Sequence, residues 1–235
     1  MKILLALYLA GMLLPCFGQK PQASELLRTA RYVATLQQQD LTGHIRKGGT
    51  KFPVGLYLRG ENVQFSYNQP RTKQAIRFHM RLEDDHYDLF EIVGGKTQRF
   101  PEAKLGEAIE GTDLSYEDLA MRFLYWPNGI VEGDDTIKGQ KCWQLRLVNP
   151  GGKGRYAQVR VWVHKKSRAL MQVVGYNSKG RPLKRFQVTD IMKVGKVYTL
   201  RRMRVDRIEP VANKVVGLTY LEFDRPKAVG PGGLR

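Results

Sequence analysis

The feature that most constrains the fold of this chain is a period of two in its apolar residues from Leu41 onward. Successive side chains of a β-strand point to opposite faces, so this period is typical of strands that bury one face. Turn sequences rich in glycine and aspartate separate the runs. The chain is therefore predicted to form a meander of antiparallel hairpins with one apolar face. The clearest alternating positions are Val63, Phe65 and Tyr67, then Ile76, Phe78, Met80 and Leu82, and later Val159, Val161 and Val163.

The number of strands bears on the shape of the sheet. We count about ten or eleven alternating runs. An antiparallel sheet of that size usually curls or closes, because its edges must be protected. The economical arrangement is one concave apolar face with helices laid across it. The predicted fold class is mainly β with a few helices (α+β).

Two segments have a helical period instead. In residues 24–37, Ser24 can cap a helix whose apolar residues share one face. In residues 116–126, the helix start has Ser115 and Asp118 at the spacing of a capping box, and Pro127 ends the segment. Apolar residues cover most of the circumference of this second helix. It must therefore be buried on more than one side or act as a movable plug.

The N-terminus indicates export. One lysine, an apolar run and the small residue Gly18 are typical of a secretory signal peptide, and the run is short for a membrane span. The Gly/Pro-rich C-terminus is predicted to be disordered. The predicted organisation is a signal peptide at 1–18, a single domain at 19–224 and a disordered tail at 225–235.

The predicted state of the two cysteines follows from this organisation. Cys16 would leave with the signal peptide, so Cys142 would have no partner for an internal disulfide. The alternative is that Cys16 is lipidated and anchors the protein as an outer-membrane lipoprotein, which Pro15 disfavours because such signals have a small residue there. Cys142 lies in a strand-like run and is interpreted as a buried structural thiol.

The net charge is +17 and the isoelectric point is about 10.0. In a cytoplasmic protein this would first suggest nucleic acid. After export the available polyanions are anionic lipid head groups and envelope polymers. An anionic membrane surface is therefore one expected binding partner, and nucleic acid is not expected. The other interpretation is a solubilising surface charge without a partner.

The residues that could support catalysis or metal binding lie in predicted turns and strands. The four histidines, His44, His79, His86 and His164, lack metal-ligand spacing. The acidic run 83–86 and the glycine run 151–154 are interpreted as hairpin turns, since no helix follows the glycines. In the basic run 201–207, Arg201, Met203, Val205 and Arg207 share one face of a strand, and a polar outer face is favoured over an anion-binding track. We predict no catalytic residue, no metal and no cofactor.

The run at 111–119, G-T-D-L-S-Y-E-D-L, resembles the outer-membrane lipoprotein-sorting protein family, the LolA-like group of periplasmic proteins. The run 139–145, G-Q-K-C-W-Q-L, and the strand at 155–164 extend the resemblance, which covers about residues 24–224. It implies an incomplete β-barrel, an antiparallel sheet curled round an apolar cavity and lidded by helices. Relatives with this fold carry or sense the acyl chains of lipoproteins, so the resemblance implies a periplasmic location.

The leading hypothesis is a non-enzymatic, monomeric, periplasmic binder or carrier of lipid or lipoprotein acyl chains. A sensor or scaffold of the same fold that docks a protein partner is the alternative, and an envelope hydrolase would need a polar constellation on the concave face. The residues predicted to line or lid the cavity are Leu119, Met121, Phe123, Leu124 and Trp126 on the helix, with Phe65, Phe78, Met80 and Val161 on strands.

Overall fold

The computed structural model describes residues 20–35, 39–68, 75–83, 86–109, 111–195 and 197–226. The predicted signal peptide with Cys16, the last two positions of the first predicted helix and residues 227–235 of the predicted tail lie outside the described residues.

Strands make up most of this part of the chain. Two α-helices, α1 (Ala23–Thr35) and α2 (Tyr116–Ala120), accompany them. The strands are β1 (Gln39–Lys47), β2 (Thr50–Arg59), β3 (Asn62–Asn68), β4 (Ala75–Leu82), β5 (Tyr87–Val93), β6 (Lys96–Arg99), β7 (Ile130–Ile137), β8 (Gln140–Val148), β9 (Gln158–His164), β10 (Leu170–Tyr176), β11 (Pro182–Val194), β12 (Val197–Glu209) and β13 (Lys214–Phe223).

All thirteen strands belong to one antiparallel sheet, in the order β6-β5-β4-β3-β2-β1-β13-β12-β11-β10-β9-β8-β7. β6 and β7 end the sheet and do not pair with each other, so the sheet is open. The predicted fold class is confirmed. The strands that the period-two pattern missed are these two edges: β6 is exposed along its whole length, and β7 is mostly polar. An edge strand that buries few of its side chains needs no continuous apolar alternation.

The order of the strands explains why a segment lies over the concave face. Residues 100–129, here called the crossing segment, connect β6 to β7, which are opposite edges of the sheet. This connection therefore runs across the open side. It contains a 3₁₀ turn at Glu102–Lys104, helix α2 and a second 3₁₀ turn at Arg122–Tyr125.

The core lies between the concave face, the crossing segment and α1. Cross-strand neighbours such as Phe65 and Phe78 stack with ring centroids 5.2 Å apart. Val161 of β9 faces Val173 of β10 and is fully buried. The apolar stripe of α1, with Leu26 and Leu27, is buried in the same core.

The convex face is largely polar and carries one small apolar cluster. Ile137, Cys142, Trp162 and Val174 form this cluster. Cys142 is fully buried, as predicted, and burial raises the pKa of its thiol. An ordinary packing role accounts for this residue.

The helix predicted over residues 116–126 is wrong in its extent. The predicted capping box is present: the Ser115 amide donates to Asp118 at 2.7 Å, and the Asp118 amide donates to the Ser115 hydroxyl at 3.4 Å. However, α2 ends after Ala120, because Met121 takes a left-handed conformation with φ 46°. A segment that is apolar all round cannot bury every side in one straight helix, and the break lets two short pieces pack separately. No glycine or proline marks this break in the sequence.

Candidate functional site

An apolar cavity of about 150 Å³ lies between the concave face and the crossing segment. Strands β2 to β4 line one side, strands β10 to β13 the other, and residues 114–125 and Arg31 of α1 cover it. Polar lining side chains include those of Arg31, Asp118 and Gln172. A cavity with a largely apolar lining accepts apolar guests. The apolar strand residues of the lining are Leu56, Leu58, Val63, Phe65, Phe78, Met80, Leu82, Leu170, Met171, Val173, Phe186, Val188, Leu200, Met203, Leu221 and Phe223.

The structure brings seven of the nine sequence-predicted site residues to this cavity. They are Leu119, Met121, Phe123 and Leu124 of the crossing segment, with Phe65, Phe78 and Met80 on the strands. The two others lie outside the lining. Trp126 follows the 3₁₀ turn and is buried in the main core, and Val161 packs between β8 and β10.

The cavity has a polar closed end. Lys184 of β11 donates to Asp118 at 2.5 Å, and the hydroxyl of Tyr156 donates to the other oxygen of Asp118 at 2.6 Å. The side chains of Lys184 and Asp118 are 5% and 0% exposed. A buried charge is stable only when it is paired and hydrogen-bonded. This group therefore fixes the start of α2 to the sheet.

Asp113 also attaches the crossing segment to the sheet at the same end. It accepts hydrogen bonds from Lys47 at 3.0 Å, from Arg207 at 2.8 Å and from the hydroxyl of Thr219 at 2.9 Å. Burial raises the pKa of Asp113, but these three donors outweigh burial and hold the pKa below its ordinary value. The basic run 201–207 thus contributes Arg207 to the concave side. The prediction that Arg201 shares this face is wrong, because register shifts at Asp190 interrupt the alternation; Arg201 is exposed and pairs with Asp190.

Glu117 contacts the hairpin loop between β8 and β9. One carboxyl oxygen accepts the amide of Arg155 at 3.0 Å, while the other is buried without a hydrogen-bond partner. Burial raises the pKa of Glu117. Gly154 allows this approach: a Cβ there would lie 2.3 Å from the carboxyl oxygen, and its φ is +93°. The glycine run 151–154 is a hairpin loop, as predicted, and it packs on the crossing segment.

Arg31 covers the opposite, open end. Its guanidinium donates to the carbonyl of Leu124 at 2.7 Å and lies 4.5 Å from the ring centroid of Tyr125. Tyr125 in turn contacts Tyr87 of β5, with ring centroids 5.0 Å apart. The second 3₁₀ turn is therefore held by side-chain contacts, whereas α2 is held by buried ion pairs.

Most of the lining and most of the polar anchors were not predicted from the sequence. The lining alternates on β11 and β13 but not on β10, where residues 170–173 all contribute, and the return of β13 to pair with β1 is what places it opposite Phe65 and Phe78. Lys184 has a readable signal, since it is a cation at an inward position of an alternating strand. Its partner Asp118 lies 66 residues away, and no local pattern joins them.

The histidines make contacts within strands and turns. Within the described ranges, no group of three or more histidine, cysteine, aspartate or glutamate side chains is placed to hold a metal ion. His44 pairs with Glu222 on the convex face, and His164 contacts Ser167 in a turn. In the described part of the chain, no helix has the length and apolarity needed to cross a membrane.

An open antiparallel sheet whose concave face is crossed by a short helical segment over an apolar cavity defines a class of fold, and solved structures described as LolA superfamily and lipoprotein-sorting proteins have a similar fold. A LolA superfamily protein from Nitrosomonas europaea aligns with a TM-score of 0.63 at 14% identity over 87% of this chain and 92% of its own. A putative outer membrane lipoprotein-sorting protein domain from Vibrio parahaemolyticus gives 0.64 at 15% identity over 91% and 95%. A DUF1329 family protein from Desulfovibrio piger gives 0.65 at 18% identity over 91% and 93%.

The sequence itself places the chain in a family. Residues 63–226, more than half of the chain, match the model of a family whose description reads "-like: Uncharacterized protein", and the chain belongs to that family. A comparison with curated proteins returns no match. The resemblance to the LolA-like group is thus confirmed at the level of the fold.

Proposed function

We propose that the protein is a non-enzymatic binder or carrier of lipid or lipoprotein acyl chains in the bacterial periplasm. The observation that carries this proposal is the apolar cavity between the curled sheet and the crossing segment. Acyl chains offer no hydrogen bonds, and each buried CH₂ contributes about 0.8 kcal/mol. The names of two structural neighbours, a LolA superfamily protein and a lipoprotein-sorting domain, support the same class of cargo.

The size of the cavity adds a requirement. A volume of about 150 Å³ suits a guest of roughly the size of benzene. A long acyl chain is several times larger, so its entry requires the crossing segment to move. The second 3₁₀ turn, held at the open end by Arg31, is the piece that moves, while Asp113 and Asp118 keep the closed end in place.

A blocking substitution tests this function. Val188 lines the cavity, so Val188→Trp fills it from the sheet side. We expect delipidated wild type to bind a dansyl-labelled fatty acid saturably, and the variant to bind it about tenfold more weakly or not at all, which corresponds to about 1.4 kcal/mol or more.

Val215→Trp is the matched control, because Val215 is 44% exposed and is not part of the lining. It should bind like wild type. Circular dichroism would verify that both variants fold. Equal binding by both tryptophan variants, or no saturable binding by wild type, would overturn the proposed function.

A further inference from the structure

The hairpin formed by β11 and β12 extends beyond the two strands that pair with it. These strands pair with each other up to Val194 and Val197. The pairing of β10 with β11, however, reaches only Gln187, and that of β13 with β12 reaches only Arg202. Residues 190–194 and 197–200 therefore extend past the ends of both neighbouring strands, as a segment here called the projecting hairpin.

Three apolar side chains are exposed near the tip of the projecting hairpin, whereas Met192 and Thr199 of the same hairpin are buried. Ile191 is 54% exposed, Val197 43% and Tyr198 64%. Lys193 lies directly opposite Tyr198 and is also exposed. Tyrosine with a neighbouring lysine suits the boundary between hydrocarbon and water, because the ring enters the boundary while the ammonium stays among the head groups.

The projecting hairpin stands at the open end of the cavity. Val188 and Leu200, at its base, line the cavity, whereas Lys184 and Arg207 of the same two strands belong to the closed end. A surface touched by the tip therefore lies next to the end covered by Arg31 and Tyr125.

The charges of the neighbouring turns favour an anionic surface. In an antiparallel sheet every second turn lies at the same end, so the turns β7–β8 and β9–β10 lie at the same end as the tip, on its β10 side. The described residues of these turns and of the tip, at 137–141, 164–169 and 193–195, hold six lysines or arginines and no aspartate or glutamate. At the same end, in the other half of the sheet, the turn between β2 and β3 at 59–62 holds one arginine and one glutamate, and Glu83 follows β4. The basic charge of this end is therefore concentrated around the projecting hairpin.

We infer that the projecting hairpin and the two basic turns form a docking surface for a bilayer that contains anionic phospholipids. The exposed apolar side chains near the tip enter the interface, and Lys138, Lys166 and Lys193 contact the head groups, each contributing about 1 kcal/mol near an anionic surface. A second copy of the chain is disfavoured as occupant, because its own basic turns would be repelled. The inference rests on the proposed function, since docking at this end sets the cavity beside the bilayer from which acyl chains would come.

Vesicle sedimentation tests the inference. We expect the protein to bind vesicles of phosphatidylcholine mixed with phosphatidylglycerol, to bind phosphatidylcholine alone far more weakly, and to lose binding as salt is raised. Ile191→Ser combined with Tyr198→Ser should weaken binding by about tenfold or more. Lys166→Gln and Lys193→Gln should weaken it by about fivefold each.

Matched controls exist at the other end of the sheet. Val211, 72% exposed, and Lys179 lie in turns at the closed end. Val211→Ser and Lys179→Gln should bind vesicles like wild type. The inference is overturned if wild type binds neither vesicle, if these controls weaken binding as much as the hairpin variants do, or if the hairpin variants abolish a dimer in light scattering instead of vesicle binding.

Fatty-acid binding without vesicles separates this inference from the proposed function. The Ile191/Tyr198 serine variant should bind the labelled fatty acid as wild type does. If wild type binds the fatty acid but no vesicle, the docking surface is wrong and the cavity function stands. If wild type binds vesicles but no fatty acid, the proposed acyl-chain binding is wrong, and so is the link between docking and cargo uptake.

Discussion

Removing the amine of Lys184 should loosen the closed end of the cavity. Lys184→Met keeps the length of the side chain but leaves the Asp118 carboxylate, which is 0% exposed, without its cation. Breaking a buried pair in this way costs about 3–5 kcal/mol. We expect the lower end, about 3 kcal/mol, because Asp118 keeps the donors Tyr156 and Ser115 at 2.6 and 2.7 Å. For a chain of 235 residues this corresponds to a melting temperature lower by about 6–12 °C.

Urea denaturation followed by tryptophan fluorescence measures this loss of unfolding free energy. Lys179→Met is the matched control, because Lys179 is exposed in a turn, and its effect should stay within about 0.5 kcal/mol. In a double-mutant cycle with Asp118→Asn, the combined loss should be smaller than the sum of the single losses by about 1–3 kcal/mol. A loss below about 1 kcal/mol for Lys184→Met, or strict additivity, would refute the view that this pair anchors the crossing segment.

Three further predictions concern other contacts of the crossing segment and the core. Burial raises the folded-state pKa of Glu117, so the folded protein holds this proton more tightly than the unfolded chain, and stability falls as pH rises from about 4.5 through the folded pKa. Glu117→Gln removes this pH dependence. In urea titrations the free energy of unfolding of the variant should therefore rise relative to that of wild type across this pH window and equal it at lower pH. Parallel pH profiles of the two proteins would contradict this. Gly175→Ala should lower stability by about 1–3 kcal/mol, because its Cβ would lie 2.3 Å from a buried tyrosine ring, whereas Gly133→Ala meets open space and serves as control. Arg31→Met removes the 2.7 Å hydrogen bond that holds the crossing segment closed, so fatty-acid affinity measured by titration should rise by up to about tenfold; unchanged or weaker affinity would contradict the proposed movement.

Local sequence patterns predicted the elements that depend on burial of one strand face or on contacts between nearby residues. The alternation of Phe65 and Phe78 follows from burying one face of each strand, and the Ser115–Asp118 capping box is a contact within four residues. Seven of the nine residues predicted from these patterns line the cavity: the three on strands occupy apolar inward positions of the curled sheet, and the four on the crossing segment lie over its concave side.

Contacts between distant parts of the chain were not accessible in this way. The pairing of β13 with β1 places Leu221 and Phe223 in the lining, and no local period encodes that pairing. The left-handed Met121 has no glycine to signal it, and the predicted helix therefore ran on through the break. The ion pair of Asp118 with Lys184 depends on which strand lies beneath α2, which the register alone determines.

The central claim is that acyl chains occupy the cavity on the concave face. The most direct measurement is photocrosslinking of the delipidated protein with a diazirine-bearing fatty acid, followed by mapping of the labelled peptides by mass spectrometry. The account predicts saturable labelling of cavity residues such as Met80, Val188 and Leu200, competed by unlabelled fatty acid. Labelling confined to the convex cluster around Cys142 and Trp162, or labelling that does not saturate, would contradict it.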